Sequence, residues 1–511
     1  MVRTQGVNQR LRIARVAALL AGSLLMVAAC SSDDKDDAAT LIANAGNSTA
    51  NFSCGLLTVP FGANVPGDAP ILTNQVDANC FAWWEFISLN WPNDSGAGFG
   101  DPGDLNGVQW ETYIVKQLLF PSGGSAPPAW GTQPPVPSYC DASTLKSSPR
   151  GAPARQLSTS SKLAAPQADE FDFPDDSQQA APTDAPNWLG AQNGTNVWYE
   201  IRLNQDEYQY IVNQKFYDAN QQQAWTDNGQ PIVLPKGTST GTTGAIELKA
   251  SWLEVPDPSD AKWQRYKLAD TWVIDPISQA CRQLTVALVG LHILHKTESQ
   301  PTWIWATFEH VDNVPGSAGG QAPYNFYNAN CQAQQVEVGE AACLAKNMSS
   351  PVTVSCTPNT PPPYYLGENC PAPVPIQVSR QVPLDSSAQQ ANTIAQKAIA
   401  STYPKSVFQN YQLVNVIWST NPSQDPSKPV AVPMPLTSML PTSKVANTTL
   451  ETYVQNLTCT DCHRYATIAP TSAAPDPQWD SDFSFAVGAA TPAASSASSA
   501  LPTSFAGPGR E

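Results

Sequence analysis

Five consecutive residues near the end of the chain, Cys459-Thr460-Asp461-Cys462-His463, restrict what it can fold into more than any other feature. The C-x-x-C-H spacing is that of a c-type haem attachment site. Two thiols three positions apart lie on one turn of chain, where each can form a thioether with a vinyl group of one porphyrin. The adjacent imidazole then meets the iron. The expectation is one covalent haem c on Cys459 and Cys462, with His463 as proximal iron ligand. Two other readings compete: a Cys459–Cys462 disulfide, and a thioredoxin-like redox pair. The second needs a βαβ setting that the surrounding sequence does not offer.

The pentad is half of an iron site, because neither Met nor His occurs after His463. Small soluble cytochromes c place the motif early and follow it with a methionine, so their compact helical fold is not expected here. A sixth ligand has to come from upstream. His292, His295 and His310 are the other histidines. His292 alternates with Leu284, Val286, Leu288 and Leu294 on one predicted strand, so it would project from an apolar wall. Met434, held between Pro433 and Pro435, is the methionine candidate, with Met439 behind it. An open sixth position is the remaining case, with Glu309 or a histidine as distal acid/base.

The other end of the chain points to export. Arg3, Arg10, Arg12 and Arg15 precede an apolar run from Val16 to Ala29, too short to span a bilayer comfortably and typical of a secretory signal. It ends in Val27-Ala28-Ala29-Cys30, which resembles the lipobox of bacterial lipoproteins, with Cys30 as the acylated first residue. Ser31 and Ser32 follow, and no Asp stands directly after Cys30, which favours the outer membrane. Asp33, Asp34, Asp36 and Asp37 make a solvated tether over residues 30–50. Setting aside Cys30, Cys459 and Cys462 leaves Cys54, Cys80, Cys140, Cys281, Cys331, Cys343, Cys356 and Cys370 of the 11 cysteines, enough for four disulfides. Eight cysteines allow 105 connectivities. The short separations single out 331/343 and 356/370. Zinc is disfavoured, since none of the eight lies in a close C-x-x-C pair.

Between the ends, an α+β fold is expected: a β-rich antiparallel body over 51–440, with long Pro-rich loops, then a short helical haem segment over 441–487 and a tail from 488. Asn79 to Pro92 is the densest aromatic stretch and predicts a buried helix ended by Pro92. Residues 121–190 are rich in Pro, Ser, Ala and Gln and predict a long loop. Strands are predicted at 197–203, 245–254, 266–274, 284–294, 302–311 and 411–418. Helices are predicted after Asn204 and over 385–403. Thr448 and Glu451 form a capping-box pattern, and Leu450, Tyr453, Val454 and Leu457 share a helical face, so a short amphipathic helix is expected to deliver Cys459. Gly237-Thr238-Ser239-Thr240-Gly241 matches the G-x-S-x-G elbow of α/β-hydrolases, but Gly and Thr surround it, so it predicts a turn between strands.

Taken together, FAWWEFISLNWP from Phe81, WETY from Trp110, IELKASW from Ile246, VGLHILHKT from Val289, WIWATFEHVDN from Trp303 and NTTLETYVQNLTCTDCH from Asn447 resemble a family of large, functionally uncharacterised bacterial lipoproteins with a C-terminal cytochrome c motif. The resemblance spans most of residues 75–490 and implies haem binding and electron transfer, without a substrate. The function expected is that of a membrane-anchored monohaem c-type cytochrome of the cell envelope. The alternatives are a haem enzyme with an open distal site and a ligand-binding lipoprotein whose haem is structural. A formal charge of -16 argues against nucleic acid and suits a basic redox partner, such as a basic soluble cytochrome.

Overall fold

Long alternating runs of β-branched and aromatic residues dominate the middle of the chain, and they assemble into one large sheet. The computed structural model describes residues 50–70, 72–93, 97–135, 140, 155–157, 186–274, 281–316, 322–367, 369–422, 436 and 438–493. The signal run, Cys30 and its tether, most of the Pro-rich loop, Met434 and the tail lie outside the described residues.

The strands are β1 (Asn51–Cys54), β2 (Leu57–Pro60), β3 (Ile114–Val115), β4 (Arg155–Leu157), β5 (Val197–Leu203), β6 (Ile246–Val255), β7 (Leu268–Ile274), β8 (Cys281–His295), β9 (Ile304–His310), β10 (Gln334–Val336), β11 (Val352–Val354), β12 (Tyr411–Ser419) and β13 (Met439–Leu440). The helices used below are α1 (Gln75–Leu89), α2 (Gln205–Gln214), α3 (Ala219–Asp227), α4 (Ser386–Thr402) and α5 (Cys459–His463). The main sheet runs β13-β12-β9-β8-β6-β5-β3, and β7 pairs with the outer half of β8. Every pairing in it is antiparallel except that of β4 beside β7. The fold is thus α+β with a β-rich antiparallel body. β8 is its central strand, and its run Leu284-Thr285-Val286-Ala287-Leu288-Val289 is apolar on both faces.

One face of the sheet is covered by α1 and α4, whose Phe81, Trp83, Phe86, Ala391, Ala395 and Ile399 pack with Leu248, Trp252, Ile293 and Phe308. The aromatic stretch of α1 is therefore core. The helix starts at Gln75, where the Asn74 side chain accepts from the Asp77 N–H at 3.1 Å, and it ends at Leu89, before Pro92. Asn204 and Asp385 cap α2 and α4 in the same way. The opposite face is covered in part by α2, α3 and the C-terminal segment. The rest of it lies under the Cys-rich excursion.

A β-bulge changes which residues of β8 share a face. The register to β6 shifts between Ser251 and Trp252, which face Gly290 and Leu288. The unpaired Val289 resets the alternation. Val286 and Leu288 therefore face the helices together with Leu291 and Ile293, while Leu294 belongs to the opposite face. His292 does not share a face with Leu284, Val286 and Leu288, as simple alternation predicts.

The cysteines are joined as Cys54–Cys80, Cys140–Cys281, Cys331–Cys356 and Cys343–Cys370. The expected 331/343 and 356/370 pairs do not form. The β10–β11 hairpin pairs Gln334 with Val354, which sets Cys331, just before it, against Cys356, just after it. A bridge between Leu344 and Tyr364, and a bond from the Tyr365 N–H to the Cys343 carbonyl at 2.7 Å, bring Cys343 toward Cys370. Four disulfides indicate an oxidising, exported compartment. Among the described residues, no helix is long and apolar enough to cross a membrane.

Candidate haem site

Strand register builds the floor of the site. Ile201, Lys249, His292 and Thr307 stand side by side across β5, β6, β8 and β9, and Leu203, Glu247, Leu294 and Trp305 form the next row. A cleft opens over these rows. Ile201, Glu247, Lys249, His292, Leu294 and Trp305 line its floor, and Val454, Leu457, Cys459, Cys462, His463 and Phe485 line the other side.

The segment that carries the cysteines is tied to the sheet before it reaches them. Asn447 donates to Thr307 Oγ1 at 3.0 Å and to the Phe308 carbonyl at 2.7 Å. The Thr448 N–H and hydroxyl both donate to Glu309 Oε2, at 3.0 and 2.7 Å. Thr449 meets Ser251 hydroxyl to hydroxyl at 2.7 Å, directly over Gly290, where an added Cβ would lie 2.3 Å from Thr449 Oγ1. These bonds explain why the expected amphipathic helix is missing. Residues 448–457 form successive turns. Thr448 gives its hydroxyl to Glu309 rather than to a helix end. Glu451 closes a single turn on Asn447, accepting its N–H at 2.8 Å.

The pentad itself is helical. α5 starts from Thr458, whose side chain accepts from the Asp461 N–H, while Asp461 accepts the Thr458 N–H at 2.8 Å, a reciprocal cap. Burial alone would raise the Asp461 carboxyl, but Lys444 at 3.0 Å and the two Thr458 bonds outweigh it and hold its pKa below the usual carboxylate range. His463 Nδ1 lies 2.7 Å from the Phe483 carbonyl. A carbonyl only accepts, so Nδ1 carries the proton and Nε2 carries the lone pair of the neutral ring. Phe485 lies edge-on to this imidazole at 5.0 Å, and Trp305 is 6.3 Å away.

Cys459 and Cys462 are outside any disulfide. Burial, and then the charge of Glu451, push the Cys459 thiol far above its ordinary range. A redox-active dithiol needs the opposite shift, so the thioredoxin-like reading has no support in this environment.

Among the upstream ligand candidates, His292 is the one that lines the cleft, with Nε2 2.8 Å from Glu451 Oε1. His295 is fully buried between Glu85, at 2.5 Å from Nδ1, and the Thr243 carbonyl, at 2.7 Å from Nε2. His310 is also fully buried, stacked on Tyr266 at 3.7 Å. Its Nδ1 accepts the Asp312 N–H and its Nε2 donates to the Arg265 carbonyl, both at 3.1 Å. Both are satisfied core histidines that do not reach the cleft. Glu309 is committed to Thr448, Gln412 and Arg380. Met439 packs at the edge of the core beneath α2 and α3 rather than in the cleft.

The donor set fits a porphyrin iron. Two cysteines outside disulfides sit beside a histidine whose Nδ1 is held by a carbonyl, so that Nε2 would be the atom to meet an iron. The walls are largely apolar, and a second histidine stands in the same cleft. Among the described residues, no group of three or more His, Cys, Asp or Glu side chains converges to hold a bare metal ion. A porphyrin iron needs only one or two axial side chains. Compared with known proteins, the chain matches no family model, no curated protein and no solved structure.

Sequence reasoning missed Glu247, Lys249 and Glu451 as cleft residues. The signal was present in β6, where Glu247, Lys249 and Ser251 alternate on one face of a strand that is buried along its whole length. A buried polar stripe marks a site more often than a core. Burial, and then the facing Glu247, push the Glu207 carboxyl well above the usual carboxylate range.

Proposed function

We propose that this chain is a lipid-anchored monohaem c-type cytochrome that transfers electrons in the bacterial cell envelope. Cys459 and Cys462 hold the porphyrin as thioethers, His463 is the proximal ligand and His292 the distal one, and Cys30 carries the lipid. The observation behind this reading is the single cleft shared by Cys459, Cys462, His463 and His292. Haem supplies reversible one-electron chemistry when bound. The chain holds the group at the cysteines, aims Nε2 of His463 through the Phe483 hydrogen bond, and keeps water away with Leu294, Trp305 and Phe485. The net charge of -16 favours a basic redox partner, met from solution by long-range attraction. A pyridine haemochrome assay on the mature protein tests the attachment. One thioether-linked haem per chain, lost in Cys459→Ala, is the expected result, and its absence in the parent protein sinks the proposal.

The His292–Glu451 hydrogen bond favours a second reading. A histidine held by a carboxylate beside an open iron position would serve as acid/base for peroxide or small-gas chemistry. Ligand binding separates the two, because a histidine on the sixth position closes the site to carbon monoxide.

A further inference from the structure

Among the described residues, seven other than glycine adopt a positive φ, and three of these meet at one place: Trp303 (φ 77°), Asp482 (φ 56°) and Phe483 (φ 66°). For a bulky residue such as Trp or Phe this conformation is unfavourable and persists only where surrounding contacts enforce it. Those contacts are specific. The indole N–H of Trp303 donates to the Asp482 carbonyl at 2.9 Å. Asp482 Oδ2 accepts the Leu234 N–H at 2.8 Å and pairs with Lys296. Both partners of that ion pair are almost fully buried, and the Lys296 ammonium lies 5.9 Å from the Trp303 ring centre. The next carbonyl along the chain, that of Phe483, is the one that holds His463 Nδ1.

Resting on the haem reading above, we propose that Lys296, Trp303 and Asp482 form a positioning device for the iron-ligating histidine. They lock the Asp482–Phe483 turn in its strained form and so aim the Phe483 carbonyl at His463. This hydrogen bond fixes the tautomer and ring plane and makes Nε2 a stronger donor, which favours ferric over ferrous iron. None of the three side chains needs to touch the haem. The turn is specified by distant anchors, so its effect is on the potential of the group rather than on its attachment.

The test uses two variants of the full chain. Asp482→Asn keeps a side chain tolerant of positive φ and an acceptor for Leu234 but removes the charge that pairs with Lys296. Trp303→Phe removes the indole donor together with part of the buried ring, leaves the Asp482–Lys296 pair intact, and serves if the first variant fails to fold. Each is expected to retain covalent haem while losing roughly tenfold in its preference for the ferric state, a rise in midpoint potential of about 59 mV for a one-electron couple. A second readout needs no haem. In a Cys459→Ser/Cys462→Ser background, nitrogen NMR is expected to show His463 as the Nδ1–H tautomer, and each variant is expected to mix it with the Nε2–H form. Unchanged potential and tautomer, with only a lower melting temperature, would overturn the proposal and leave the cytochrome reading standing. Absence of haem from the parent protein removes that reading, and the NMR arm still decides whether the device positions His463.

Discussion

At the residue scale, His292 and His310 have a similar sequence setting but different environments, and the two environments predict different behaviours. His292 faces the cleft; under the proposed function His292→Met would exchange one axial ligand for another and raise the midpoint potential, whereas His292→Ala would let the iron bind carbon monoxide. Optical titration of each variant reads both effects. His310 has no such freedom. Burial, then Asp312 and the Arg265 carbonyl acting the other way, leave its pKa lowered from 6.5 to about 4. The folded state refuses a proton that the unfolded chain accepts. Stability is therefore lost as pH falls from about 6.5 toward about 4, by an amount on the order of 3 kcal/mol, and the group contributes no slope above that window. Urea unfolding at several pH values should show this acid limb flattened in His310→Gln.

At the scale of elements, the close approach to β8 of the segment that leads to Cys459 is the most exposed to perturbation. A side chain at Gly290 would collide with Thr449 and Ser251, whose hydroxyls meet directly above it. Gly290→Ala is expected to cost about 1–3 kcal/mol and to loosen residues 447–451, which hydrogen exchange would report as lost protection at Thr449 and Glu451. The strands and helices were largely legible, because β5, β6, β8, β9 and β12 carry the period-2 pattern of β-branched and aromatic residues, and Asn204 and Asp385 carry helix caps. What was not legible depends on contacts between distant parts. The bulge at Val289 arises from pairing with β6 and moves His292 to the other face from Leu288. The Thr448–Glu451 pattern is a good capping signal locally, but Glu309, 139 residues away, takes the threonine for itself. The crossed disulfides follow from the β10–β11 register, which cysteine spacing does not encode.

At the scale of the whole molecule, one sheet organises the chain. The described residues, from 50 to 493, belong to one compact unit. Its central sheet buries helices α1 and α4 on one face and offers the other to the segment bearing Cys459–His463. The pentad could be found by spacing alone, since its chemistry is local. The second histidine could only be ranked from sequence, because whether it meets the pentad depends on the order β9-β8-β6-β5 and on which face each residue takes. The polar stripe Glu247, Lys249 and Ser251 lies in that same row pattern, and the loop from Asn447 crosses it. The central claim is that His463 and His292, which line one cleft, would hold the same iron. The visible spectrum of the reduced mature protein, recorded with and without carbon monoxide, tests it most directly. The account predicts a sharp low-spin c-type band that carbon monoxide leaves unmoved; a high-spin spectrum that shifts on adding the gas would contradict it.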